Sequence, residues 1–229
     1  MRAERGESVT IVDLYELVAR RRGVRAEDLA VEERAALSNQ ALRFVEPSFE
    51  ILDDTGRADS EPIELVPYDP AWPARFEDWK QRLLTALPTP PRRVEHIGST
   101  AVPGLAAKPI VDILVGVDDL EAEAAYVPAI EGLGVQLRSR DRDHRYFRPF
   151  SGRPRDVHVH VCTADSDWER PHLVFRDYLR RNPEARSRYV AVKQAAAARW
   201  RYDRVAYTES KTAIIAALTA EAETAGGRG

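Results

Sequence analysis

Apolar residues are spaced differently on the two sides of residue 60. Those between Ile11 and Val18 recur at three- and four-residue intervals and predict an amphipathic helix, which Gly23 can end. The stretch AEDLAVEERAALSNQAL predicts a second one. Two short helices bury little apolar surface alone, so we expect residues 1–60 to form a helical N-terminal extension lying against the main domain or a second subunit. The polar residues 53–62 are the expected linker.

The main domain, residues 61–229, mixes strands with helices. Apolar or alternating runs bounded by turn residues predict strands at 63–66, 92–98, 109–117, 135–140, 144–150 and 155–163. A three- and four-residue periodicity predicts a helix that carries Trp72, Phe76, Trp79 and Leu83. Further helices are predicted at 119–134 and, in a helical C-terminal third, at 168–181, 184–201 and 208–224. This pattern indicates an α+β fold with a mixed β-sheet flanked by helices.

Composition narrows the classes of function. A formal charge of -3 gives no general reason to expect nucleic acid binding, so any phosphate contact must be local and the expected partner is a small molecule. The single cysteine, Cys162, cannot form an intramolecular disulfide, and it follows an alternating strand, where a buried side chain is expected. We find no N-terminal stretch of the signal type and no long apolar run. These features favour a cytoplasmic protein that does not enter a membrane.

A Gly-Ser corner separates two apolar runs in VEHIGSTAVPGLAAKPIVDILVGV, residues 94–117. Gly98 permits a close approach of the backbone to a ligand, and Ser99 either caps the following helix or donates its hydroxyl to a phosphate oxygen. Unpaired N–H groups at a helix start suit a phosphate. A serine cap without a ligand remains the alternative.

Asp112 interrupts the second apolar run. An ionised carboxylate buried inside a strand costs several kcal/mol unless it is paired. Asp112 therefore needs a metal ion or a cationic partner such as Lys108.

Two histidines share one face of the strand RDVHVHV. Because strand side chains alternate, His158 and His160 lie beside Asp156 on one face, and the valines lie on the other. These histidines can be metal ligands, phosphate contacts or a proton-transfer pair. The alternative is a solvated face of an edge strand.

Several cationic residues can reach such a site. Arg145 and Arg148 are three residues apart on a predicted strand, so only one can face the histidine side, and we predict Arg145. In the helical third, the candidates to close over a polyphosphate are Arg176, Lys193 and Lys211. Tyr207 and Lys211 are four residues apart on a predicted helix and can bind a ligand from one face.

Residues 63–222 resemble the GrpB family, whose members have been proposed to belong to the nucleotidyltransferase superfamily. The resemblance is carried by VPYDPAWPARFE, EHIGSTAVPGLAAKPIVDI, HVHV and AYTESK. It implies a small mixed sheet with flanking helices, a corner of Gly98, Ser99 and Thr100 that holds a nucleotide's phosphates, and carboxylates on adjacent strands that hold magnesium.

The sequence departs from the fuller superfamily pattern. Leu114 stands where a second carboxylate is expected, and histidines stand where a later strand normally supplies a third. Magnesium prefers oxygen ligands, so Asp112 with His158 and His160 better suits one softer ion such as zinc or manganese. The choice among Mg, Mn and Zn stays open.

Two functions follow from these patterns. The first is an enzyme that binds a nucleotide or another phosphorylated compound and transfers a nucleotidyl or related group, from a nucleoside triphosphate as possible donor, to a small acceptor. The second is a non-catalytic nucleotide- or coenzyme-binding module with a degenerate carboxylate set. A homodimer formed through the N-terminal extension is a further expectation.

Overall fold

The computed structural model describes residues 10–45, 48–52 and 62–226. Its helices are α1 (Ile11–Arg22), α2 (Val31–Val45), α3 (Trp72–Ala86), α4 (Val127–Glu131), α5 (Glu169–Arg181), α6 (Pro183–Arg199), α7 (Arg204–Glu209) and α8 (Thr212–Gly226). Its strands are β1 (Glu50–Ile51), β2 (Arg93–Ile97), β3 (Val111–Val117), β4 (Val135–Arg140), β5 (His144–Pro149) and β6 (Val157–Thr163). The fold is α+β, as predicted.

One six-stranded mixed sheet has the order β1-β4-β5-β6-β3-β2. β3 and β6 are parallel, whereas every other neighbouring pair is antiparallel. The register places Asp112 beside both Ile97 of β2 and His158 of β6. Tyr146 of β5 lies opposite His160. The carboxylate and both histidines thus start from neighbouring backbone positions.

The two faces of the sheet differ sharply. Alternate residues of β3 and β6, including Ile113 and Val159, form an apolar core with Phe76 and Leu83 of α3 and with Ile130 of α4. The predicted periodicity of α3 is confirmed, and its buried side faces this core. The opposite face carries the polar residues and is covered by the C-terminal helices.

The N-terminal helices pack against the same chain. Thr10 caps α1, and Gly23 ends it with a positive φ of 68°. Tyr15 of α1 lies in an apolar cluster with Trp200 and with Ala206 of α7. Homodimerisation through this extension stays a prediction. No helix in the described part of the chain combines the length and apolarity needed to cross a bilayer.

Four predicted elements differ from the structure. Residues 63–66 form only an isolated bridge between Val66 and Ala107. The helix expected at 119–134 shrinks to a 3-10 turn, Glu123–Ala125, and the short α4, because Pro128 has no N–H to continue a helix from the preceding turn. The helix expected at 208–224 is divided between α7 and α8 at Ser210.

The fourth difference is in the extension, which is not wholly helical. It contributes the two-residue edge strand β1, and Glu50 of that strand pairs with Arg140 of β4. The expected linker, 53–62, lies outside the described residues except for its last position. The division into domains at residue 60 stays a prediction.

Candidate functional site

The Gly-Ser corner follows the end of β2. Gly98 has a φ of 68° and a ψ of -168°, a conformation that side chains disfavour. A Cβ at this position would collide with the Asp112 carboxylate. Glycine is therefore required for Asp112 to lie directly against the corner.

The corner does not open an α-helix. It continues into a three-residue 3-10 helix, Ser99–Ala101, which is too short to act as the helix start predicted to bind a phosphate. Ser99 makes no cap with its side chain there; its Oγ accepts a hydrogen bond from Lys193 Nζ at 2.9 Å. Thr100 is buried, and its Oγ1 donates to the Ile110 carbonyl at 3.1 Å. This hydroxyl therefore braces the corner, and a role of Thr100 in holding a phosphate stays a prediction.

Asp112 and two histidines form one cluster. His158 Nδ1 lies 3.0 Å from Asp112 Oδ1, and His160 Nε2 lies 3.6 Å from the same oxygen. Their potential ligand atoms lie within 4.8 Å of one another. Asp156 precedes β6, is exposed and does not join this group.

Burial and the neighbouring histidine rings determine the pKa values in the cluster. Burial alone would raise the pKa of Asp112, but His158 and His160 outweigh it and hold that pKa well below its usual range. Burial lowers the pKa of His158, and its hydrogen bond with Asp112 opposes that shift. The site therefore presents an ionised carboxylate with two imidazole nitrogens directed at it.

Three lysines gather around the same carboxylate. Burial, and after it the charge of Lys211, lower the pKa of Lys108 to about 7. The pKa of Lys193 also falls to about 7, through burial and then through the charges of Lys211 and Lys108. Burial lowers the pKa of Lys211 to about 8. Asp112 opposes all three shifts, so one carboxylate faces three mutually repelling ammonium groups.

Aromatic rings support these lysines. The buried ring of Tyr207 has Lys211 Nζ at 4.4 Å and Lys108 Nζ at 5.1 Å from its centroid. Lys193 Nζ lies 5.2 Å from the ring of Tyr189, one turn earlier on α6. Lys193 Nζ also donates to the Ala106 carbonyl at 2.6 Å. The predicted proximity of Tyr207 and Lys211 is confirmed.

Two predicted arginines are bound elsewhere. Arg145 lies on the apolar side of the sheet, where Nε donates to Glu123 at 2.5 Å and Nη2 donates to Glu121 at 2.8 Å. Our choice of Arg145 for the histidine face was wrong, because Tyr146, and not Arg145, pairs with His160. Alternation therefore places Arg148 on the histidine face.

Arg176 of α5 fixes that helix to β2. Its Nη1 donates to Glu95 at 2.6 Å and to the His96 carbonyl at 3.0 Å, and its Nε donates to Asp177 at 2.8 Å. These bonds give Arg176 a structural role, and the predicted role in closing over a polyphosphate is not supported.

Two aromatic residues beside the histidines, Tyr146 and Trp168, were not predicted from the sequence. The ring centroid of Tyr146 lies 5.2 Å from that of His158 and 5.3 Å from that of His160. Trp168 stacks on His144 at 4.3 Å. Alternation along β5 could have found Tyr146, because it shares a face with His144; Trp168 comes from a loop that no pattern connects to the sheet.

Comparison with known proteins agrees with this architecture. The family model described as GrpB protein matches residues 62–221. The chain belongs to the GrpB family. A UPF0157 protein of Halalkalibacterium halodurans is 37% identical over 179 residues, which are 78% of this chain and 91% of that protein. A UPF0157 protein of Pseudomonas aeruginosa is 41% identical, over 72% of this chain and 69% of its own length.

A solved member of the GrpB family has the same fold. The crystal structure of conserved protein GrpB from Enterococcus faecalis is 36% identical to this chain, with a TM-score of 0.60. The match covers 69% of this chain and 96% of the other. A protein named dephospho-CoA kinase, from Mycolicibacterium paratuberculosis, is 34% identical over 66% of this chain, which corresponds to only 43% of that protein.

Proposed function

We propose that the cleft between the sheet and the C-terminal helices binds a nucleotide or related phosphorylated compound. With one divalent ion, the protein would transfer a nucleotidyl or related group to a small-molecule acceptor. The observation that carries this proposal is the gathering of three lysines beside the corner: Lys193 Nζ donates to Ser99 Oγ, and Lys108 and Lys211 share the ring of Tyr207.

Keeping the three lysines charged in this cleft costs free energy when no anion is bound. Desolvation and mutual repulsion both oppose their charge, and Asp112 supplies only one opposing charge. A phosphate chain would bring several negative charges into the space between them and restore full protonation. Lys193, which is 2% exposed and hydrogen-bonded to Ser99, would hold a phosphate at the corner.

The donor set suits one transition-metal ion. Asp112, His158 and His160 supply one oxygen and two nitrogens, which favour zinc or manganese over magnesium. When bound, such an ion would act as a Lewis acid towards a phosphoryl oxygen. The protein's own groups would orient the ligand, because Lys193 fixes one phosphate while Lys108 and Lys211 neutralise the rest.

A neighbouring cavity has room for the remainder of the ligand. It has a volume of about 330 Å³ and opens beside Lys108, between Glu64, Ile110, Arg155 and Arg204. A ligand with phosphates at the corner can therefore place a base or an acceptor next to Lys108. One relative is named dephospho-CoA kinase, which supports a nucleotide-containing ligand, and the nucleotidyltransferase superfamily is consistent with the mixed sheet.

A non-catalytic binding module is favoured by one observation. Leu114 is fully buried against Ile97 and Cys162, with Trp168 packed on the same cluster, so an apolar side chain fills the position of a second carboxylate. Within the described residues, one metal-binding group is found and Asp112 is its single carboxylate. Two-metal transfer has no support here.

A thermal-shift panel with matched variants tests binding first. The wild-type protein is heated with each ribonucleoside triphosphate and with dephospho-CoA, each with and without Mg²⁺, Mn²⁺ or Zn²⁺. A ligand that binds only the folded state raises Tm. Asp112→Asn should abolish the metal-dependent part of the shift, whereas the exposed control Asp156→Asn should keep it. Unchanged binding by Asp112→Asn would refute the metal role.

Release of pyrophosphate from the ligand that binds would distinguish transfer from binding alone. Its release with a candidate acceptor supports the transferase, and binding without release supports the module. No shift with any nucleotide would overturn both.

A further inference from the structure

The short helix α7 supplies two residues to the proposed site. Tyr207 has Lys211 Nζ at 4.4 Å and Lys108 Nζ at 5.1 Å from its ring centroid. Arg204, the first residue of the helix, lines the cavity of about 330 Å³ beside Lys108. A helix of six residues is not stable alone, so contacts with the rest of the chain must hold it in position.

The N-terminal extension holds the first end of α7. Arg34 of α2 forms an ion pair with Asp203, the N-cap of α7; Nε lies 2.6 Å from Oδ2, and the side chains are only 8% and 11% exposed. Asp203 Oδ1 caps the helix by accepting from the Ala206 N–H at 2.9 Å. Arg34 Nη1 also donates to the carbonyls of Glu27 and Leu29, at 2.9 and 2.6 Å. One buried guanidinium therefore joins the extension to the cap of α7.

The extension also contacts the other end of α7. The backbone N–H of Ile11, at the start of α1, donates to the carboxylate of Glu209, the last residue of α7. Between the two ends, Tyr207 lies in one apolar cluster with Ile11 and Tyr15 of α1. The helix that carries Tyr207 is therefore held at both ends, and packed between them, by residues of the extension.

We propose that the N-terminal extension positions α7 for ligand binding, with Arg34 as the residue that fixes the helix, so that Tyr207 and Arg204 face the ligand. The ligand part of this inference rests on the proposed function, whereas the order of α7 concerns the protein alone. The GrpB family model begins at residue 62, so this support comes from outside the matched part of the chain. Lys193 lies on α6 and is bonded to the corner, so loosening α7 should weaken anion binding without abolishing it.

Amide hydrogen exchange of the full-length protein tests the order of α7. We would compare the wild type with Arg34→Met, Arg34→Lys and Arg22→Met. Arg34→Met leaves the Asp203 carboxylate buried without its cation, so we expect exchange over residues 204–209 to accelerate at least about tenfold while exchange over α3 stays unchanged. Arg34→Lys keeps a cation near Asp203 and should restore part of the protection. Arg22→Met breaks an exposed pair with Glu33 inside the extension and should exchange like the wild type.

Calorimetric titration with tripolyphosphate measures the consequence for binding. We expect Arg34→Met to bind about three- to tenfold more weakly than the wild type, because only the molecules with α7 in place bind tightly. Arg34→Lys should recover part of this loss, and Arg22→Met should bind like the wild type. If Arg34→Met does not fold, the double variant Arg34→Met/Asp203→Asn takes its place, since asparagine still caps α7 and leaves no buried charge.

Three results would overturn the positioning role of Arg34. They are unchanged exchange over α7, equal acceleration over α7 and α3, and unchanged affinity in a variant whose α7 has loosened. If α7 loosens as expected but the wild type binds no tripolyphosphate, the ordering of α7 by the extension is supported, and the proposed function fails together with the ligand part of this inference.

Discussion

The two faces of the central sheet use the same strands for different purposes. On β6, Val157, Val159 and Val161 are fully buried in the apolar core beneath α3, whereas His158 and His160 face the lysines and Asp112. Successive residues along the strand point to opposite faces of the sheet and so lie in different surroundings. Stability and chemistry can therefore be disrupted independently, and substitutions on each face should have different readouts.

The largest expected effect comes from placing a charge on the apolar face. Val159→Asp would bury an unpaired carboxylate in the α3 core, and we expect a loss of at least about 4 kcal/mol in the free energy of unfolding. Urea denaturation followed by circular dichroism measures it. Thr163→Asp, at the exposed end of the same strand, should change stability by less than about 0.5 kcal/mol. Equal losses in both variants would contradict the asymmetry.

A smaller effect is expected at the corner on the polar face. Gly98→Ala combines a disfavoured φ with a collision against Asp112, so we expect a loss of about 2–4 kcal/mol together with loss of ligand binding. Gly104 has a φ of 76° but no atom within reach of an added Cβ, and Gly104→Ala should cost only about 1–2 kcal/mol. Unfolding in urea compares them. Similar losses would show that the Asp112 contact does not constrain Gly98.

The third prediction concerns pH and a histidine on the apolar side. His96 stacks on Phe76 at 4.9 Å, and burial lowers its pKa to about 4, with Asp112 opposing the shift. Between pH 6.5 and 4 the unfolded chain binds more protons at this residue than the folded chain. Stability should therefore decrease as pH falls through this range, by up to about 3 kcal/mol from His96 alone.

The His96→Gln variant isolates this contribution. We expect its free energy of unfolding, measured in urea at pH 7, 6, 5 and 4, to fall less steeply than that of the wild type. Carboxylates and the other buried histidines still titrate in both proteins, so the difference between the slopes reports His96. Parallel slopes would contradict a buried neutral ring.

Local patterns predicted much of the fold. Strands β2 to β6 and helix α3 follow from alternation or helical periodicity, because each buries one regular face. The prediction of one helix over 119–134 was wrong, because Pro128 interrupts a helix that the spacing of apolar residues favours. Edge strand β1 is two residues long and is defined by pairing with β4, which no local pattern encodes.

The sequence predicted those parts of the candidate site whose residues lie on a single strand. Alternation placed His158 and His160 together, and the cost of a buried carboxylate identified Asp112. The side of β5 that faces the site depends on register with β6, so the choice of Arg145 over Arg148 could not be made from spacing. The meeting of Lys108, Lys193 and Lys211 depends on how distant elements pack.

The most direct test of the central claim is calorimetric titration of inorganic tripolyphosphate into the wild type and Lys193→Met at pH 7, with and without Mn²⁺. We predict binding by the wild type and at least about tenfold weaker binding by Lys193→Met, because the variant loses one charge-assisted hydrogen bond. Lys80→Met, on α3, should bind like the wild type. Since the pKa of Lys193 is about 7, wild-type affinity should fall as pH rises from 7 to 9. Equal affinity in Lys193→Met, or no binding by the wild type, would contradict a phosphate site at this corner.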